Sequence, residues 1–296
     1  MLVALPAFLY SLLASTRRGC VVVHVLVPEH QHPTSALQEV EQRARRACLK
    51  VRMHAIDGSA HLLLRQASSS ADTMELVRFY LPAILKLKVV KVLWVDVDVL
   101  VRCDAHTLLS QAFAGGDAGA HIAAAARATP VTIGMATAGR LSLVLNRIGW
   151  LSAAQRRVRR PMFNGGILAI NLREWRRGNV TRAVERLVLG LRRAGQSRYK
   201  AMTGGLPDDS SQLPLAILFS DIQQRLAKLP AVWNVDGLGW RAAVSNATLS
   251  AACAWHWSGD RKGWHLTEGL HTHLWAPANR SAAEHGLTRV LGPLSG

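Results

Sequence analysis

The chain has 296 residues, of which 49% are hydrophobic and 19% are charged, and this composition excludes a disordered or collagen-like protein. No run of about 18 uncharged apolar residues occurs, which argues against a multi-span membrane protein. The formal net charge of +17 makes polyanions candidate partners, namely nucleic acids, acidic membranes, acidic glycans or nucleotide phosphates. The four cysteines have no C-x-x-C spacing, which argues against a zinc ribbon or a disulfide-dense scaffold.

The first 14 residues are apolar apart from Ser11, and they allow two interpretations. They fit the apolar core of a signal or anchor segment, but the basic residues follow this stretch instead of preceding it. They also fit an amphipathic core helix, because leucines and Phe8 recur at helical spacing. We favour the core helix.

Strand and helix patterns then alternate along the chain. β-Branched and apolar runs predict strands over 20–27, 50–56, 89–95, 121–126 and 166–171. Helices are predicted over 34–48, over 72–88 with Pro82 kinking or dividing it, and from 172 to about 193. This alternation predicts an α/β protein with a three-layer, mostly parallel sheet that binds ligands at the carboxyl ends of its strands. We expect one domain over 1–296, with a loose C-terminal tail over 276–296.

Two aspartates interrupt the apolar strand pattern VLWVDVDVLV, residues 92–101. Because side chains alternate along a strand, Asp96 and Asp98 would point the same way at the strand end. Paired carboxylates suit a hard cation, which can bridge a diphosphate and neutralise a phosphate leaving group. The alternative is a solvated strand end. The apolar flanks favour the cation site, since burying two carboxylates without a cation or donors is costly.

The segment FNGGILAINLREWR, residues 163–176, opens with Asn164 and two glycines before an apolar strand. The glycines allow a tight turn and a close approach of the backbone to a ligand. Asn164 offers a donor and an acceptor to sugar hydroxyls. The alternative interpretation is a plain turn before a strand.

The segment WHWSGDRKGW, residues 255–264, combines three residue types that suit a metal and a phosphate. His256 can ligate a metal through one imidazole nitrogen, Gly259 lets backbone N–H groups reach a phosphate, and Lys262 supplies a compact positive charge. A lone histidine among aromatic residues is more often structural. The tryptophans of the C-terminal third suit pyranose rings or core packing, with core packing expected for most: Trp233, Trp240, Trp255, Trp257, Trp264 and Trp275.

These segments together resemble glycosyltransferase family 8, whose members are retaining enzymes with a GT-A (Rossmann-like) fold. LKVVKVLWVDVDVLVRCDAHTLL resembles the family's strand-Asp-x-Asp-strand block, and FNGGILAINLREWR its Phe-Asn-x-Gly block. VWNVDGLGW resembles its Trp-Asn motif, and HWSGDRKGWH its closing His-x-x-Gly-x-x-Lys block. The resemblance covers roughly residues 5–265, and the plant galacturonosyltransferase-like branch looks nearest.

The resemblance implies a UDP-sugar donor and Mn²⁺, in a hexosyl- or pentosyltransferase that acts on a glycan acceptor such as a cell-wall polysaccharide. The residues that match the family's metal ligands are Asp96, Asp98 and His256, and those that match its diphosphate contacts are Gly259 and Lys262. The matches to donor-sugar and acceptor contacts are Arg78, Asn164 and Gly165, with Asp96 also on the donor side. Gln212 takes the place of the glutamine that faces the reacting sugar, so Gln212 and Asn164 are the candidate catalytic residues.

The chain departs from the family pattern at three places. Ser211 and Leu213 replace the aspartates that flank the family's glutamine, and Gly263 replaces a proline, which we expect to loosen the Lys262 loop. The N-terminal helix matches the helix that follows the family's first nucleotide-binding strand, so that strand is expected to be missing. A membrane anchor would have been lost with it.

Two other functions compete with this hypothesis. An inactive relic of the same fold would bind sugar or nucleotide without turnover. A basic nucleic-acid-binding protein is suggested by charge alone, and no zinc spacing or RNA-recognition motif supports it. The basic run 156–160 suggests an acidic acceptor instead. Three N-glycosylation sequons, at Asn179, Asn246 and Asn279, and the family resemblance favour the Golgi lumen.

Overall fold

The structure is a computed structural model that describes residues 4–17, 19–29, 49–66, 74–114, 119–133, 161–194, 212–219, 226–265, 269–285 and 287. It divides into two compact units. The first unit comprises Met1–Asp57, Val95–Gln111 and Pro230–Gly296, and the second comprises Gly58–Trp94 and Ala112–Leu229. The helix predicted over 34–48 and the basic run 156–160 lie outside the described residues.

Strands and helices alternate through the described residues. The strands are β1 Val21–Pro28, β2 Leu49–Ile56, β3 Lys91–Val95, β4 Val99–Val101, β5 Ile122–Ala126, β6 Phe163–Asn171, β7 Leu226–Lys228 and β8 Ala254–His256. The α-helices are α1 Leu5–Ser15, α2 Leu81–Ile84, α3 Ala105–Gln111, α4 Leu172–Arg177, α5 Val180–Ala194, α6 Gln212–Phe219, α7 Asn246–Ala251 and α8 Thr272–Glu284. Short 3-10 helices cover Leu64–Gln66, Val77–Tyr80 and Ala231–Trp233.

Helix α1 forms part of the core of the first unit. Its buried side chains include Leu5, Phe8 and Leu9, and α1 packs on α8 and on β4. The hydroxyl of Ser11 is also buried, and it accepts a hydrogen bond from the Val101 backbone N–H at 3.0 Å. These contacts confirm the interpretation of the N-terminal stretch as a core helix. Among the residues that the structure describes, no helix is long and apolar enough to cross a membrane.

The first unit contains two small sheets. β1 and β2 are parallel, with Val21 beside Leu49, whereas β4 and β8 are antiparallel, with Val99 opposite His256. A disulfide joins Cys103 and Cys253 just beyond the end of the β4–β8 pair. No spacing pattern in the sequence indicates this disulfide, because the two cysteines have a sequence separation of 150.

The second unit is built on a four-stranded sheet in the order β3-β6-β5-β7. β5 pairs with β7 in parallel and with β6 in antiparallel orientation. All nine residues of β6 are buried, which explains its nearly continuous apolar sequence. Arg176 of α4 donates to the carbonyls of Pro82, Leu85 and Val89, so it closes the carboxyl end of α2.

The structure confirms the α/β class and corrects several predicted elements. The helix predicted over 72–88 is divided near Pro82, as expected, into the 3-10 helix Val77–Tyr80 and the short α2, and it ends at Ile84. The helix predicted from 172 to about 193 is two helices, α4 and α5. β6 begins at Phe163, so the Asn-Gly-Gly segment lies inside the strand and is not a turn. Residues 276–284, expected in a loose tail, belong to α8, which buries Trp275 and Ala282 in the first unit.

Candidate functional site

The first unit brings together Asp96, Asp98 and His256. One ligand atom from each of these side chains lies within 4.8 Å of the others. Asp96 follows β3 and Asp98 precedes β4, so the two aspartates sit in a turn, closed by the Val99 N–H donating to the Asp96 carbonyl at 3.2 Å. The sequence predicted that strand alternation would align the two carboxylates at the strand end; the structure places them in a turn instead, and their ligand atoms still converge. The pairing of β4 with β8 brings His256 to them.

The carboxylate of Asp98 is buried between the Lys262 ammonium group and the His256 imidazole. Lys262 Nζ donates to Asp98 Oδ2 at 2.6 Å, and His256 Nε2 lies 3.4 Å from Asp98 Oδ1. Burial alone would raise the pKa of Asp98, but its interactions with His256 and Lys262 lower it to about 2. Burial would lower the pKa of His256, and the neighbouring carboxylates of Asp98, Asp96 and Asp236 raise it instead. The Asp98 carboxylate is therefore ionised near neutral pH, and Lys262 partly balances its charge.

Asn234 orients the imidazole of His256. Its side-chain oxygen Oδ1 lies 3.0 Å from His256 Nδ1, and both residues are buried. Since an amide oxygen accepts hydrogen bonds, Nδ1 carries a proton and Nε2 is directed at Asp98. Ligating histidines commonly have such a partner on the second nitrogen, which fixes the ring and its tautomer.

The residues fit a divalent cation. Asp98 Oδ1 is buried without a hydrogen bond among the described residues, and its 3.4 Å contact with His256 Nε2 is an ion pair, so this oxygen keeps lone pairs for a cation. Two carboxylates and an imidazole provide a mixed oxygen and nitrogen donor set. Their ligand atoms already lie within 4.8 Å of one another. Asp96, Asp98 and His256 can together hold a metal ion.

The loop after β8 places Lys262 at this cluster. The Lys262 ammonium also donates to the Trp257 carbonyl at 3.2 Å. Gly263, which was expected to loosen this loop, is closely packed: a β-carbon there would lie 2.7 Å from Trp275 and 3.0 Å from Trp257. The two indoles fill the space that a side chain would need. Gly259 adopts a φ of +102°, a conformation that favours glycine.

The remaining predicted site residues lie in the second unit. The Gly165 N–H donates to Gln212 Oε1 at 3.1 Å, and Arg78 Nη1 donates to the Gly165 carbonyl at 3.0 Å. The Arg78 guanidinium also lies over the Trp94 ring, 4.7 Å from its centre. Asn164 Oδ1 accepts from the Gly166 N–H at 2.8 Å. The structure therefore brings Arg78, the Asn164–Gly165 segment and Gln212 together.

Gly165 is confined by its two neighbours. A β-carbon at this position would lie 2.9 Å from Gln212 Cγ and 3.0 Å from Arg78 Nη1. Its φ lies outside the left-handed region, so the requirement for glycine is one of space and not of backbone conformation. The sequence predicted a tight turn and a close approach of the backbone to a ligand; the turn is not observed, and the close approach seen here is to two side chains of the chain itself.

Two structural features of the first unit were missed by the sequence reasoning. Asn234 belongs to the Trp-Asn motif, which was recognised without a role for the asparagine, and its pairing with His256 depends on a contact 22 residues apart in sequence. The Cys103–Cys253 disulfide joins the segments after β4 and before β8. The one sequence signal for this disulfide was that each cysteine lies close to a strand that carries or adjoins a candidate metal ligand.

The profile described as "Glycosyl transferase family 8" matches residues 2–268. Glycosyltransferase 8 domain-containing protein 1 of Bos taurus is 31% identical over 216 residues, which cover 70% of this chain and 54% of that protein. The human protein of the same name is 30% identical over the same shares. The chain thus spans about half the length of these curated relatives.

Solved structures share the fold. The galactosyltransferase LgtC, in complex with donor and acceptor sugar analogs, has a TM-score of 0.58 at 17% identity, covering 95% of this chain and 92% of that chain. The bifunctional glycosyltransferase WbbM has a TM-score of 0.62 at 15% identity, covering 96% and 49%. At these identities the likeness establishes the fold, which is that of the GT-A glycosyltransferases. With the profile match over most of its length, the chain belongs to glycosyltransferase family 8.

Proposed function

We propose that this protein transfers a sugar from a UDP-sugar to a hydroxyl of a glycan acceptor, with Mn²⁺ as cofactor and with retention of the anomeric configuration. Family membership supports the reaction class. The observation that carries the proposal is the convergence of Asp96, Asp98 and His256 beside Lys262. A negatively charged cluster that can hold a cation, next to an ammonium group, is suited to a nucleotide diphosphate.

The candidate site residues of the first unit have distinct roles in this proposal. Asp96, Asp98 and His256 hold the cation, which when bound neutralises the diphosphate and stabilises the departing UDP. Lys262 pairs with Asp98 at 2.6 Å. When UDP binds, another N–H of its ammonium group donates to the diphosphate. The backbone N–H groups around Gly259, whose positive φ opens the loop, donate to the same phosphates.

The second unit supplies the sugar contacts in this proposal. The Asn164 amide and the backbone of Gly165 bind sugar hydroxyls, and Arg78 fixes the Gly165 carbonyl from the other side. Gln212, anchored by the Gly165 N–H, faces the reacting sugar. Because these groups are already oriented by hydrogen bonds within the chain, little ordering remains to be done when the substrate binds.

The transfer itself breaks the bond between the anomeric carbon and the diphosphate oxygen, and both electrons of that bond leave with UDP. The acceptor oxygen then bonds to the anomeric carbon from the face that UDP leaves, which retains the configuration. The acceptor hydroxyl proton passes to the departing diphosphate oxygen. In this route the protein contributes positioning and electrostatic stabilisation of UDP.

A disulfide and N-glycosylation sequons support a proposal for the cellular compartment. The Cys103–Cys253 disulfide is typical of an oxidising environment such as the secretory pathway. Two sequon asparagines, Asn179 and Asn246, are exposed, so both are accessible to a glycan. We place the protein in the Golgi lumen. If secreted-pathway expression yields a chain whose mass does not change on treatment with an N-glycanase, the sequons are unused and this support is lost.

Two measurements on the full chain test the proposed function. Calorimetric titration with UDP, with and without Mn²⁺, measures whether nucleotide binding needs the cation. A panel of UDP-sugars, assayed for UDP release, measures turnover. Metal-dependent binding with turnover supports the transferase, and metal-dependent binding without turnover identifies an inactive relic. Binding and turnover that persist in a chelator contradict the proposed metal site.

A further inference from the structure

Trp240 is half exposed although its ring is firmly held. Its exposed fraction is 49%, whereas Trp257 and Trp275 of the same unit are fully buried. The five-membered end of the indole lies against Gly259, where a β-carbon would come 2.7 Å from Trp240 Cδ1. The six-membered end lies against Gly237, where a β-carbon would come 2.9 Å from Cζ2. The ring thus rests on the backbone of two glycines.

The loop that carries Trp240 is fastened to the segment of the candidate metal site. The Leu238 N–H donates to the His256 carbonyl at 3.1 Å, and the Gly237 N–H donates to the Ser258 hydroxyl at 2.8 Å. Gly239 packs so closely that a β-carbon would lie 2.7 Å from the Ser258 carbonyl oxygen. The indole is therefore fixed relative to His256 and to the Gly259–Lys262 loop.

We propose that Trp240 is the stacking platform for a sugar ring of the acceptor, and hence a residue that determines acceptor specificity. An indole presents a broad apolar face that suits the C–H face of a pyranose. Binding sites commonly combine such aromatic surfaces with a few polar groups. Because the ring is already immobilised by Gly237 and Gly259, stacking on it costs little conformational entropy.

The chemistry of the reaction selects the acceptor as the occupant, and this step rests on the proposed function. In a same-face transfer, the acceptor hydroxyl attacks from the side on which the diphosphate leaves. The acceptor must then lie next to the diphosphate-binding loop. Trp240 packs on Gly259 of that loop, so its exposed face lies beside the proposed diphosphate contacts.

The test compares Trp240→Ala and Trp240→Phe with wild-type enzyme in a UDP-release assay. The acceptor probes are methyl β-xylopyranoside, methyl β-galactopyranoside and a trigalacturonide, each titrated at saturating UDP-sugar and Mn²⁺. The saccharide that increases UDP release by wild-type enzyme is taken as the acceptor. We expect Trp240→Ala to raise the KM for this saccharide about 10-fold and Trp240→Phe to raise it less. The KM for the UDP-sugar should stay unchanged in both variants. Val232→Ala is the matched control, since Val232 is an exposed apolar residue of the same unit.

A second readout separates failure of this inference from failure of the proposed function. Calorimetric titration detects binding of the same saccharides to the protein with UDP and Mn²⁺, whether or not turnover occurs. Loss of the saccharide signal in Trp240→Ala, with UDP affinity retained, supports the stacking role even in an inactive protein. Unchanged saccharide binding in Trp240→Ala overturns it, as does the absence of saccharide binding by wild type. An equal loss of UDP affinity would place the ring at the nucleotide instead.

Discussion

The role of Asn234 can be tested by removing its side chain. In Asn234→Ala, the His256 Nδ1–H loses the acceptor that lies 3.0 Å away, and the group stays buried because His256 is only 3% exposed. An unsatisfied buried donor costs about 1–3 kcal/mol of stability. Loss of a partner that orients a metal-binding histidine lowers metal affinity by about 10- to 100-fold. We therefore expect Mn²⁺ binding to weaken by about this factor.

The assay is a Mn²⁺ titration followed by electron paramagnetic resonance, in which the signal of the free ion reports the unbound fraction. Urea unfolding of the same samples gives the stability change. Asn171→Ala is the matched control: Asn171 is also buried, and its side chain accepts from the Glu174 N–H at the start of α4. Its loss should cost about 1 kcal/mol without changing Mn²⁺ affinity. Asn234→Asp, which keeps an acceptor oxygen, should restore binding. Equal Mn²⁺ affinities in Asn234→Ala and wild type would refute the orienting role.

Three further predictions concern other parts of the chain. Replacing both Cys103 and Cys253 by serine should lower the free energy of unfolding by about 2–5 kcal/mol, because the disulfide closes a loop with a sequence separation of 150; urea unfolding measures this. Gly165→Ala should reduce turnover by about 10- to 100-fold, because the added carbon would displace Gln212, and initial rates measure it. Acidification should destabilise the fold, since burial, then His54 and Arg52, lower the pKa of His24 from 6.5 to about 4. The unfolded chain takes up this proton first as the pH falls, so about 1–2 kcal/mol of stability, after allowance for solvent screening, is lost between about pH 6.5 and 4.

Each of these predictions has its own control. Cys20→Ser removes an exposed cysteine outside the disulfide and should leave the unfolding free energy unchanged. Gly58→Ala adds a carbon that meets nothing within 4 Å, so its initial rate should match wild type. His24→Gln should flatten the loss of stability in thermal melts between pH 6.5 and 4. An equally steep loss in that variant would show that other groups cause it.

The sequence predicted the chemical groups of the site better than their local geometry. Asp96, Asp98 and His256 were recognised from residue types and motif order, and the structure brings them together. Their arrangement in a turn was missed because an apolar strand pattern runs through both aspartates. The antiparallel pairing of β4 with β8 could not be predicted either, because a contact between distant segments leaves no periodic pattern in the sequence of either segment.

The positive charge illustrates a second limit of sequence reasoning. The net charge of +17 suggested a polyanionic partner, yet three arginines are engaged by the protein's own backbone. Arg78 donates to the Gly165 carbonyl, and Arg102 donates to the carbonyls of Leu249 and Ala252 at the end of α7. Arg176 donates to carbonyls around α2. Composition counts these side chains as surface charge because it cannot show where they lie.

The measurement that tests the account most directly is UDP release from a panel of UDP-sugars by the full chain, with Mn²⁺ and with a chelator. The Asp98→Asn variant is assayed beside wild type, because Asp98 contacts both His256 and Lys262. The account predicts Mn²⁺-dependent UDP release from at least one UDP-sugar by wild type and loss of that release in Asp98→Asn. Wild-type rates that persist in the chelator, or an Asp98→Asn variant as active as wild type, would contradict it.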